Sequence, residues 1–172
     1  QNVDSILNNR LSDSENSTAI DLVDGSCFIA NNFITLHGVA DNKAISLASG
    51  CSNTKIFHNS VNNLGTNPTG GSVCLDIPVS ISGLEIKNNI FACNGGGYPV
   101  KIANSLTHTL DLDYNCYYSS DGKVGYYNGT TFTSLSSMAS ALGTDLNSLN
   151  VNPNFTSSTN LFPSQNLLYN AG

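Results

Sequence analysis

Ionisable side chains are scarce in this 172-residue sequence, with twelve Asp and Glu against six Lys and Arg. The few that cluster therefore stand out. Glu85 and Lys87 lie two residues apart in LEIK, and Asp111 and Asp113 lie two apart in LDLD. Residues i and i+2 of a strand share a face, so each pair presents two ionisable groups together. Oxygens of Glu85, Asp111 and Asp113 could hold Ca²⁺. Lys87 could then remove the proton alpha to the carboxylate of a uronate sugar, the chemistry of a Ca-dependent polysaccharide lyase. Asp21 and Asp76 would serve a glycoside hydrolase if their carboxyls faced a cleft roughly 5–10 Å apart. A plainer reading competes with both. Opposite charges on neighbouring strands contribute about 0.2–1 kcal/mol each. Lys55 is expected beside Glu85, Lys87 beside Asp113, and Lys101 beside Asp76. Pairing of this kind accounts for every one of these lysines without invoking a reaction.

What places these residues side by side is a repeat. An apolar-x-x-Asn-x-apolar unit recurs as ILNNRL (6–11), IANNFI (29–34), IFHNSV (56–61), IKNNIF (86–91) and LDYNCY (112–117). Its Asn falls at Asn9, Asn32, Asn59, Asn89 and Asn115, at intervals of 23, 27, 30 and 26 residues. Such a period signals a stacked architecture. A second short alternating segment keeps step with it: Ile20-Asp21-Leu22, Ile45-Ser46-Leu47, Leu75-Asp76-Ile77 and Val100-Lys101-Ile102. Two or three strands per repeat, with no room for a crossover helix, predict an all-β parallel solenoid of about five coils. Its rungs would stack roughly 4.8 Å apart. The inward columns are expected to be Ile6, Ile29, Ile56, Ile86, Leu112 and Leu11, Ile34, Val61, Phe91, Tyr117, with Leu22, Leu47, Ile77, Ile102 as a third. Outward columns are Phe28, Lys55, Glu85, Asp111; then Ala30, Phe57, Lys87, Asp113; and, on another face, Asp21, Ser46, Asp76, Lys101.

Asn disfavours strands and favours turns. A column of Asn at the bend between two strands predicts a ladder in which each side-chain amide donates to one neighbour and accepts from the other. Asn also tolerates the left-handed backbone that such a bend needs. The Asn column is therefore read as structural. His58 takes the slot before Asn59 and is read as a corner residue, and Asn94-Gly95-Gly96-Gly97 as a turn rather than a phosphate loop.

After Tyr118 the repeat stops. Asn128-Gly129 in YYNGTTF predicts a hairpin, and Leu135, Met138 and Leu142 define one face of a short helix over 134–142, with Thr133 as its cap and Gly143 as its stop. The expected division is coils over 1–118 and an end region over 119–172 packed upon them. Outward Phe28, Phe33, Phe57 and Ile90 are expected to be covered by that tail, the helix included. The loop 62–71 is expected to project.

The Ile-x-Asn-Asn-x-Ile units over residues 6–117 resemble right-handed parallel β-helix proteins of the pectate-lyase-like group. Handedness follows from the resemblance alone. The stretch LDYNCYY … TSLSSMASALGTDLNSLNVNPNF … NLLYNAG resembles the end region of β-helix segments in large secreted bacterial surface proteins, many of them cargo of the type IX secretion system. It departs from them in lacking Trp in the helix and in carrying Asn170 where an acidic residue is usual. The resemblance implies a secreted or cell-surface location, a longer parent chain, and glycan or secretion and surface machinery as partners.

Composition narrows the remainder. Charged residues make up 10% of the chain and the net charge is −6, against about 25% charged in ordinary soluble domains. That balance argues against a nucleic-acid surface. No apolar run is long enough to span a membrane. Met138 is the single Met, so the chain reads as a processed product or a piece of something longer. Cys27, Cys51, Cys74, Cys93 and Cys116 share no column and no metal-ligand spacing; they read as buried thiols, and the similar placing of Cys27 and Cys51 after Gly25 and Gly50 allows a bridge without favouring it. The expected function is a non-catalytic segment of an exported or surface β-helix protein, a rigid spacer or adhesive module, without cofactor. The alternative is a fragment of a carbohydrate-active enzyme, lyase or hydrolase, with Ca²⁺ needed only for the lyase.

Overall fold

A computed structural model of the chain describes residues 4–14, 17–67, 71–105, 107–108 and 110–168. The backbone winds repeatedly through three strands. The first pass holds β1 (Asp4–Leu7), β2 (Arg10–Asp13) and β3 (Thr18–Gly25), and the second β4 (Cys27–Ala30), β5 (Phe33–Leu36) and β6 (Lys43–Cys51). The third holds β7 (Lys55–Phe57), β8 (Ser60–Asn63) and β9 (Val73–Ile77), and the fourth β10 (Leu84–Lys87), β11 (Ile90–Cys93) and β12 (Tyr98–Ile102). A last pass gives β13 (Leu110–Asp113) and β14 (Cys116–Ser119). Its third strand turns into a hairpin, β15 (Gly125–Tyr127) and β16 (Thr130–Phe132), before α1 (Leu135–Leu142).

Like strands stack on like. The sheets run β1-β4-β7-β10-β13, β2-β5-β8-β11-β14 and β3-β6-β9-β12-β15-β16, with β15–β16 their single antiparallel pair. The chain is thus an all-β parallel β-solenoid of about four turns, one fewer than expected. The third strand of the fifth pass, β15, stacks in parallel on β12, and the antiparallel β16 then ends the sheet.

Both inward columns that flank the Asn unit hold residue for residue, Ile6-Ile29-Ile56-Ile86-Leu112 and Leu11-Ile34-Val61-Phe91-Tyr117. A one-residue slip would turn every buried side chain outward, which is why alternation fixes register so firmly. Ile29, Ile34, Ile56, Val61, Ile86, Phe91, Leu112 and Tyr117 are fully buried, and Phe91 stacks on Tyr117 with ring centroids 6.2 Å apart.

The Asn column forms the expected ladder. Nδ2 of Asn9, Asn32, Asn59 and Asn89 donates to Oδ1 of the next Asn at 3.1, 2.9, 3.0 and 3.0 Å. The backbone N–H of each donates to the same oxygen at 3.0–3.1 Å. Nδ2 of Asn32, Asn59, Asn89 and Asn115 also reaches back to the carbonyl of Ile6, Ile29, Ile56 and Ile86 respectively. The left-handed residue is not the ladder Asn but the one before it: Asn8, Asn31, His58, Asn88 and Tyr114 have φ between 56° and 59°. Two jobs that the sequence assigned to one position are split between neighbours. The preceding residue makes the bend, and the ladder Asn faces inward and satisfies the backbone that the bend strips of partners.

The tail closes the last rung. Leu149 pairs in parallel with Cys116, donating its N–H to Asn115 O and accepting from Tyr117 N. The ladder ends on Ser148, whose Oγ accepts from Asn115 N at 2.8 Å and bonds Asp145 Oδ1 in turn. Helix α1 is capped by Ser134, not Thr133, and stopped by Gly143 at φ 72°. Met138 is buried against Gly125 of β15.

Two packing expectations are corrected. Phe33 is covered by the chain around Phe162, in an edge contact at 5.2 Å, and not by the helix. The start of the 62–71 loop is also not a projection. Asn62 and Asn63 belong to β8 and are buried, Asn63 Nδ2 donating to Asn42 O and Val73 O; residues 68–70 lie outside the described residues.

Candidate functional site

The charged face of the first sheet is where lyase chemistry would have to sit. Alternation along β7, β10 and β13 aims Lys55, Glu85 and Lys87, Asp111 and Asp113 outward, and the register sets Lys55 beside Glu85 beside Asp111, and Lys87 beside Asp113. The four candidates therefore do share one face. Side-chain contacts then divide them. Lys55 Nζ meets Glu85 Oε1 at 2.8 Å. Lys87 Nζ reaches past its register partner to Asp111 Oδ2 at 2.5 Å, so the expected Lys87–Asp113 pair is replaced by a diagonal one. Asp113 is engaged elsewhere: Oδ1 accepts from Asn147 N at 2.8 Å and Tyr114 N at 3.0 Å, and Oδ2 from Asn147 Nδ2 at 2.7 Å.

These contacts set the electrostatics. The hydrogen bond that Lys87 donates to Asp111, helped by the nearby Glu85 and Asp113 carboxylates, raises the Lys87 pKa above its ordinary value. A general base must be neutral before it can accept a proton, and this shift holds Lys87 in the cationic form. Burial pushes the Asp113 carboxyl upward, but the bonds from Asn147 and Tyr114 outweigh it and leave the pKa lowered. Both of its oxygens already accept from the protein's own donors. Among the described residues, no group of three or more His, Cys, Asp or Glu is placed to hold a metal ion.

The hydrolase pair fares no better. Asp21, Ser46 and Asp76 stand in register on the third sheet, but Asp76 is buried and bound to Lys43 Nζ at 2.5 Å while Asp21 is exposed. Lys101, expected beside Asp76, does hold that register. Its Nζ lies instead over the Tyr126 ring, 6.0 Å from the centroid. Arg10 is on the second sheet, over Phe33 at 5.1 Å and donating to Thr159 O at 3.1 Å, away from every candidate carboxylate.

A second concave region escaped the sequence. Along the bend between the first two sheets, the left-handed corners carry Asn31, His58 and Asn88 past Phe33 and Ile90 to the tail at Leu161, Phe162 and Pro163, enclosing a groove of about 400 Å³. A smaller hollow of about 150 Å³ continues it past Tyr114 to Leu168. Asn88 Oδ1 is buried there without a hydrogen-bond partner. The recurring corner slot could have been read from the sequence, but the tail that forms the opposite wall could not. No protein-family model matches the chain, and no curated protein or solved structure matches it either.

Proposed function

We propose that this chain is a non-catalytic segment of an exported or cell-surface β-helix protein, a rigid spacer or adhesive module within a longer parent chain. The observation that carries this reading is the state of the charged face. Each group that a lyase would need is occupied by another side chain: Lys87 by Asp111, Glu85 by Lys55, Asp113 by Asn147. What remains is a laddered stack whose apolar interior is buried from the second pass on, which resists bending because every rung is bonded to the next. The end-region motifs and the low charge support export, with type IX secretion as the route and glycan or surface machinery as the partners, and the Ile-x-Asn-Asn-x-Ile units support the right-handed, pectate-lyase-like variety of the fold. The test is direct. Protein mixed with acidic polysaccharides and Ca²⁺ should generate no unsaturated product absorbance. Turnover that disappears in Lys87→Ala would overturn the proposal in favour of the lyase.

A further inference from the structure

All five cysteines are free and buried, yet their surroundings differ. Cys51 Sγ lies 3.0 Å from Leu22 O and Cys116 Sγ lies 3.3 Å from Val151 O. The bridge between Cys27 and Cys51 that sequence spacing permits is not made. Cys74 and Cys93 are different. Cys74 is on β9 in the third pass and Cys93 on β11 in the fourth, and the two strands pack against each other across the interior. Their Sγ atoms are 3.1 Å apart, and neither residue has any exposed surface. Two thiols meeting in an apolar interior do little for each other as hydrogen-bond partners, since S–H is a weak donor and sulfur a weak acceptor.

We propose that Cys74 and Cys93 form a disulfide, stapling the second sheet to the third between consecutive coils, when the chain folds in an oxidising compartment. The co-reactant is a small-molecule disulfide such as oxidised glutathione. One cysteine thiolate attacks it, releasing one small thiol and leaving a mixed disulfide. The second cysteine thiolate displaces the other small thiol and closes the Sγ–Sγ bond. Both S–H bonds are lost, two electrons pass to the reagent, and its two released thiols carry the two protons. The thiolate is the reacting form, and in the folded chain burial, together with the contact to Cys93, drives the Cys74 pKa well above its ordinary value. The bond therefore forms during folding, before the interior closes, and is shielded from reductants afterwards.

Refolding from denaturant supplies the test. With a mixture of oxidised and reduced glutathione, alkylation under denaturing conditions followed by peptide mass mapping should find Cys74 joined to Cys93 and Cys27, Cys51 and Cys116 alkylated. Folded, reduced protein exposed to the same mixture should keep five alkylatable thiols. The linked form should melt roughly 5–10 °C above the reduced form, as expected for a closed loop of about 20 residues. Protein refolded in the oxidising mixture to a native circular-dichroism spectrum but retaining five thiols, or joined through another pair, would overturn the proposal. Neither result requires a variant to fold. The lyase assay reads out separately, so failure of one reading leaves the other standing.

Discussion

Removing one rung of the Asn ladder is the sharpest perturbation available. Asn59 sits at its centre, 1% exposed. Its Nδ2 donates to Ile29 O, Phe57 O and Asn89 Oδ1 at 3.0, 3.1 and 3.0 Å. Its Oδ1 accepts from Asn32 N at 3.1 Å and Asn32 Nδ2 at 2.9 Å. In Asn59→Ala some of these groups keep a second partner. Asn32 Nδ2 still reaches Ile6 O, residue 59 still donates its backbone N–H to Asn89 Oδ1, and Phe57 O still accepts from Asn31 N. The Ile29 carbonyl keeps the Phe57 N–H of the strand pairing, so only the Asn32 N–H is stranded. One stranded buried group at about 1–3 kcal/mol gives a loss of about 2 kcal/mol, or a melting temperature roughly 6 °C lower. Asn9→Ala makes the control. Asn9 is exposed and its side chain makes one ladder bond, to Asn32 Oδ1 at 3.1 Å, so its loss should cost under about 1 kcal/mol. Urea unfolding followed by circular dichroism measures both. If Asn59→Ala costs no more than Asn9→Ala, the ladder is not what holds the corners.

Three further substitutions probe the closed end and the turns. Asp145 is 2% exposed and bonds Ser148 at the end of the ladder; burial raises its pKa, with the Asp113 charge adding to the shift. A raised folded pKa means that the protonated form is favoured in the native state, so its contribution is present below the unfolded value of about 3.9 and fades as pH rises through the folded one. Asp145→Asn should therefore raise the melting temperature at pH 7 and show no gain near pH 3; a gain independent of pH would refute the account. Gly97 has φ 108°, and a Cβ there would lie 2.2 Å from Ser72 O, so Gly97→Ala should lower stability by about 2–4 kcal/mol in the same urea assay, whereas Gly122→Ala, with open space around its Cβ position, should cost about 1 kcal/mol.

The period and alternation of the sequence determined the stack: which residues point inward, which columns they form, and that Asn9, Asn32, Asn59, Asn89 and Asn115 line up. Every coil repeats the same local rule, and a slip of one residue would expose a whole column, so short-range pattern and long-range register carry the same information here. Tertiary structure decided what that rule leaves free. A lysine side chain is long enough to choose the diagonal neighbour, so Lys87 took Asp111 over Asp113, and Asp76 went to Lys43 in place of Lys101. Coils of unequal length bring together residues that share no position in the repeat, as with Asn42 and Asn63 or Cys74 and Cys93. The aperiodic tail chose to cover Phe33 with Phe162 and to end the ladder on Ser148 and Asp145, contacts set by how the chain folds back and not by any spacing along it.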